Sequence, residues 1–143
     1  MKALIPAYLA TFATMLVLDF AWLGVIAAPV YKSGIGHLMA DSPNIGFAAV
    51  FYVIYTFGLM RFGVLRSPGS RSWKVAAAGG AWFGFFVYAT YDLTNLALLR
   101  DWPVGMSVMD MVWGTFVSGA SAAAGKLAYR PTPDEANPGA EPR

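Results

Sequence analysis

Four long apolar stretches alternate with short polar breaks along this chain, and that rhythm predicts four helices. The stretches cover residues 3–28, 45–65, 75–99 and 104–128. Each has the roughly 20 residues needed to cross a hydrocarbon layer. The breaks have turn chemistry. Pro29 and the run Lys32-Ser33-Gly34-Ile35-Gly36-His37 follow the first stretch, Ser67-Pro68-Gly69-Ser70-Arg71-Ser72 follows the second, and Asp101-Trp102-Pro103 makes a tight turn between the last two. Beyond Tyr129 the sequence RPTPDEANPGAEPR has nothing to bury, so residues 130–143 are expected to be a disordered cytoplasmic tail. The expectation is an all-α integral membrane four-helix bundle formed by one domain, residues 1–129.

Composition agrees with this. The chain is 57% hydrophobic and 13% charged, against about 25% charged residues in soluble domains. A net charge of +2 is too small to suggest nucleic acid as a partner; the bilayer is the partner implied. Without cysteine, disulfides, thiolate metal sites and thiol nucleophiles are excluded. The one histidine, His37, rules out a multi-histidine site within one chain. The first stretch reads as a span rather than a cleaved signal peptide: it is too long for a signal core, carries Asp19 and ends at Pro29. The basic residues then set orientation. With four spans, Lys2, Arg61, Arg66, Arg71, Lys74, Lys126, Arg130 and Arg143 share one side, while Lys32 and Arg100 lie on the other. Both termini are expected in the cytoplasm.

Three acids interrupt the apolar stretches: Asp19, Asp92 and Asp110. Each costs roughly 2.5–3.5 kcal/mol to insert, even on the lenient scale, so an intramembrane acid is read as functional by default. Counted at 1.5 Å per residue, all three lie roughly 9–14 Å below the outer face. Tyr52 and Tyr55 reach the same layer from the second span. Helical spacing places Gly80, Gly84, Tyr88, Asp92 and Asn95 on one stripe, and Asp110, Gly114, Ser118, Ser121 and Gly125 on another. Trp22 accompanies Asp19, and Trp113 accompanies Asp110. Small residues in the inner halves of the third and fourth spans favour close helix packing, with Val87 on the lipid side. The expected shape is a bundle closed at its cytoplasmic end and open outward. Asp19-x-x-Trp22 and Asp110-x-x-Trp113 repeat one short motif on oppositely running helices, which is thin ground for an inverted repeat.

The runs Asp19-Phe20-Ala21-Trp22-Leu23-Gly24, Gly36-His37-Leu38, Tyr88-Ala89-Thr90-Tyr91-Asp92-Leu93-Thr94-Asn95 and Asp110-Met111-Val112-Trp113-Gly114-Thr115 resemble the small bacterial membrane proteins catalogued as domain of unknown function 2177. The resemblance extends nearly to Tyr129. It implies four membrane helices in the bacterial inner membrane and brings no activity, cofactor or catalytic residue with it.

The ligand-binding candidates are therefore Asp19, Trp22, Tyr52, Tyr55, Tyr88, Asp92, Asn95, Asp110 and Trp113, with His37 as an outer-loop contributor. Three function classes fit them. One is binding or transport of a small polar, cationic or lipid-like ligand, where transport would require a homodimer because four short helices enclose little volume. Another is a membrane enzyme or accessory factor in lipid modification, with aspartates as general acid and base. The last is a structural subunit whose acids only join helices. An oxygen-rich metal site built from the three carboxylates and His37 would suit Mg²⁺, Ca²⁺ or Mn²⁺, but no compact ligand motif supports it, and no metal is assigned. Trp102 reads as a member of the interfacial aromatic belt.

Overall fold

The computed structural model describes residues 4–66 and 72–130. Among the described residues the chain is helical, without strands. Helix α1, Leu4–Ala21, continues through a π-helical segment, Trp22–Ile26. A short helix α2, Ala28–Ile35, and a 3₁₀ turn, Gly36–Leu38, follow. Helix α3, Ile45–Leu59, also runs on into a π-helical segment, Met60–Val64. Helices α4, Trp73–Leu98, and α5, Val104–Ala128, complete the fold. The expected tail, apart from Arg130, and residues 67–71 of the second connection lie outside the described residues.

The four apolar stretches thus become helices at nearly the expected positions, and α2 is an addition. Its cause is local: Pro29 sits in the first turn, where a missing N–H costs nothing and a fixed φ favours helix. Asn44 starts α3 by accepting the Phe47 N–H at 3.2 Å. Between α4 and α5, Asp101 takes φ 60°, a left-handed conformation that aspartate tolerates better than most residues. Leu4–Ile26 and Ile45–Val64 are long and apolar enough to cross a membrane. Helices α4 and α5 are longer, at 26 and 25 residues, but glycine and serine dilute their apolar character.

The polarity of the molecule is inverted relative to a water-soluble bundle. Phe20, Phe47, Phe57, Leu98 and Leu127 are among many large apolar side chains left exposed, while Thr11, Asp19, Thr56, Asp92, Asp110, Ser118 and Ser121 are buried. Such a surface suits lipid, which satisfies apolar groups and leaves polar ones to find partners inside.

Helices α4 and α5 form the tightest pair. A Cβ on Gly84 would come within 2.2 Å of the Gly114 carbonyl oxygen, and one on Gly80 within 2.6 Å of the Ser118 carbonyl oxygen. The two predicted stripes therefore face each other, backbone against backbone. Helix α1 lies antiparallel along α5, burying Ala7, Thr11, Met15 and Asp19 at four-residue spacing. A Cβ on Gly125 would meet Thr11 Oγ1, which fixes this register. Helix α3 touches the rest mainly through its π-helical end. Two apolar clusters fill the interior. Ala7, Met60, Val64, Ala122 and Tyr129 close the end that carries Lys126 and Arg66, hereafter the basic end. Met15, Tyr55, Leu59 and Val117 occupy the middle. Val87, expected to face lipid, is instead half-buried against this middle cluster.

Candidate functional site

Above the middle cluster, at the end opposite Lys126, the helices part around a cavity of about 430 Å³. Its wall includes Asp19, Tyr52, Tyr88, Asp110 and Trp113, together with Tyr31, Phe51, Tyr91, Trp102 and Met106. Each acid enters from a different helix because α1 and α5 run antiparallel with their aspartates at matching heights.

The two Asp-x-x-Trp motifs meet here. Trp22 and Trp113 stack with ring centroids 4.3 Å apart and planes within 5°. Trp113 Nε1 then donates to Asp19 Oδ1 at 3.0 Å, tying α5 to α1. The reciprocal bond from Trp22 to Asp110 is not made. Tyr31 of α2 takes that place and donates its hydroxyl to Asp110 Oδ1. Trp22 Nε1 lies beside the Tyr31 oxygen but completes no hydrogen bond. Burial, and then the bond to Asp110, push the Tyr31 phenol above its ordinary value, so it stays a neutral donor at physiological pH. The π-helical segment after Ala21 is where α1 turns toward α2. Such insertions recur at functional sites because they redirect side chains without ending a helix.

Tyr88 owes its position to a glycine. A Cβ on Gly114 would overlap the Tyr88 ring at 2.2 Å, so the ring lies flat on the bare α5 backbone and forms the cavity floor. Tyr55 lies below it and shares a hydrogen bond of 2.7 Å with Ser118 Oγ. It joins α3 to α5 and does not line the cavity.

Several candidates from the sequence fall outside the cavity wall. Trp22 backs the wall by stacking on Trp113. Asp92 and Asn95 sit behind it: Asp92 is fully buried, and both its oxygens and the Asn95 Nδ2 lack hydrogen-bond partners. The Trp102–Ser107 pair lies next to the Asp92 carboxylate, yet Trp102 Nε1 donates to Ser107 Oγ at 3.0 Å rather than to the acid. Trp102 is thus buried in the wall and is not a member of an exposed belt. His37 is exposed on the 3₁₀ turn and contributes nothing to the wall. Among the described residues no three acids or histidines converge as a metal-ligand group, so the three-carboxylate metal site has no geometric basis.

Sequence reasoning missed Tyr31, Phe51 and Met106, and it left Tyr91 and Trp102, aromatics that could line a pocket, out of the candidate set. Tyr31 had a legible signal, since Pro29 opens a helix on which Tyr31 and Ile35 share one face at four-residue spacing. Trp102 depends on how the α4–α5 turn folds back over α5.

Comparison with known proteins gives one result. A family model described as "Predicted membrane protein (DUF2177)" matches residues 4–127. No curated protein and no solved structure matches the chain.

Proposed function

The chain belongs to this family of predicted membrane proteins, and from that premise we propose that it spans the bacterial inner membrane four times, with both termini in the cytoplasm, and binds a small ammonium-bearing ligand in its outer half. The orientation rests on charge. Among the described residues Arg61, Arg66, Lys74, Lys126 and Arg130 lie at one end, with only Lys32 and Arg100 toward the other. The apolar exterior supports the spanning reading.

The observation that carries the ligand class is the wall of the 430 Å³ cavity. It combines two carboxylates with the aromatic side chains of Tyr52, Tyr88 and Trp113, and among the described residues no lysine or arginine lines it. Aromatic faces attract cations through their quadrupoles, more strongly when water is excluded. The carboxylates add charge complementarity, and their bonds to Trp113 and Tyr31 hold them in place before a ligand arrives. Mostly apolar walls with a few fixed polar groups are the usual form of a small-molecule site. Below Tyr88, α4 and α5 are in backbone contact at Gly84, Gly114 and Ser118. That favours binding from the outer side over passage through one chain.

The test uses intrinsic tryptophan fluorescence of the detergent-solubilised protein, titrated with tetraethylammonium and with a neutral compound of the same size. The cation is expected to bind, and the neutral compound to bind roughly thirtyfold more weakly, the lower limit for losing one partner of a buried charge pair. Asp110→Asn should remove most of that preference. Equal binding of the two probes would refute the ligand class.

A further inference from the structure

A second concavity, of about 680 Å³, opens at the basic end between α3 and α4 and reaches along α4 to Val87, which also lines the first cavity, and to Thr90. Its origin is the way these helices diverge. At the π-helical end of α3 they are fused: a Cβ on Gly79 would come within 2.5 Å of the Phe62 carbonyl oxygen, and one on Gly63 within 3.3 Å of the Ala76 carbonyl oxygen. Beyond that point α3 leans away, and the opening is walled by the stacked rings of Phe62 and Phe83, 5.4 Å apart, and by Trp82 and Phe86, 5.8 Å apart. The π-helical insertion places Arg61 and Arg66 at the mouth. Both are exposed, and the Arg61 guanidinium stands 6.0 Å over the Phe62 ring. The acids among the described residues, Asp19, Asp41, Asp92, Asp101 and Asp110, all belong to the other end of the helices. Among the described residues the mouth therefore has positive charge with no carboxylate beside it.

Length adds a second, independent constraint. The α4 wall runs from Gly79, beside the arginines, to Thr90. Eleven residues of helix are roughly 16 Å, about half of the ~30 Å hydrocarbon core. The groove is one leaflet deep, charged at the headgroup level and aromatic to the midplane.

We propose that this groove binds an anionic glycerophospholipid, with its phosphate held by Arg61 and Arg66 and an acyl chain laid along Phe62, Trp82 and Phe86. Two arginines favour a phosphodiester because the planar guanidinium matches phosphate oxygens in fork geometry. The cytoplasmic leaflet supplies such lipids at the level where the positive-inside orientation places these residues. The groove meets the outer cavity at Val87; it rests on the proposed orientation but not on the ligand of the outer cavity.

Native mass spectrometry of the full chain tests this, in neutral detergent with phosphatidylglycerol or phosphatidylcholine of identical acyl chains. Wild type is expected to retain phosphatidylglycerol over phosphatidylcholine by roughly tenfold or more. The double variant Arg61→Gln/Arg66→Gln should lose that preference, while Arg61→Lys/Arg66→Lys keeps most of it. Thr90→Trp leaves both arginines in place and fills the far end; it should weaken retention of long-chain phosphatidylglycerol without weakening a short-chain analogue. The wild-type comparison needs no variant, so it decides even where a variant does not fold. Equal retention of the two headgroups by wild type would overturn the proposal. So would a preference that survives the double glutamine change, or a dimer that forms across the groove and excludes lipid.

Discussion

At the scale of single residues, the two stacked tryptophans make different contributions. Trp113 Nε1 supplies Asp19 with a donor at 3.0 Å, whereas Trp22 Nε1 has no partner. Trp113→Phe should therefore cost about 1–3 kcal/mol, because it leaves a buried carboxylate oxygen unsatisfied. Trp22→Phe keeps most of the ring contact and should cost less than about 1.5 kcal/mol, the range of an aromatic pair. Thermal unfolding in detergent measures both, and equal losses would mean that the indole–carboxylate bond contributes little. At the turn, Asp101 holds φ 60°. Asp101→Gly should be neutral or stabilising, and Asp101→Val should lose about 1–3 kcal/mol to backbone strain. The sequence made the acids legible because each interrupts an apolar run. It left Tyr31 and Trp102 obscure, since their roles follow from how connecting segments fold back over α5. Tyr31 lay in a run read as loop, and Trp102 had the composition of an interfacial anchor.

At the scale of helices, close packing of α4 on α5 sets the position of everything above it. Gly84→Leu would drive a side chain into the Gly114 carbonyl and Ser118. Such overpacking costs about 1–3 kcal/mol or more. Val112→Leu on the exposed face of α5 should leave folded yield unchanged. Size-exclusion profiles of the two variants give the comparison, and equal tolerance would show that the glycine stripe is not a packing surface. The stripe was readable from four-residue spacing alone, because small residues on one helical face have few other uses in a membrane. The two π-helical segments were not readable. One inserted residue leaves the apolar pattern intact, yet Trp22–Ile26 precedes α2 and Met60–Val64 positions the arginines. Each segment adjoins one of the two cavities, so the features that shape the sites are those that the hydrophobic pattern conceals.

At the scale of the whole molecule, charge asymmetry and the inward placement of polar groups assign opposite characters to the two ends: one basic, with a groove between α3 and α4, the other acidic, with a cavity among the helices. Reporter fusions should place the C-terminus and the loop around Ser70 in the cytoplasm and the His37 loop outside. A C-terminal reporter active only outside would reverse the assignment of both cavities. The most direct measurement exploits the absence of cysteine from the chain, which gives a silent background for thiol labelling. Tyr88→Cys places one thiol at the floor of the outer cavity. In intact spheroplasts, a membrane-impermeant cationic methanethiosulfonate should label it from outside much faster than the anionic reagent of similar size. The disparity should shrink when Asp19→Asn and Asp110→Asn are added. No labelling from outside, or equal rates for the two reagents, would contradict an outward-opening acidic site.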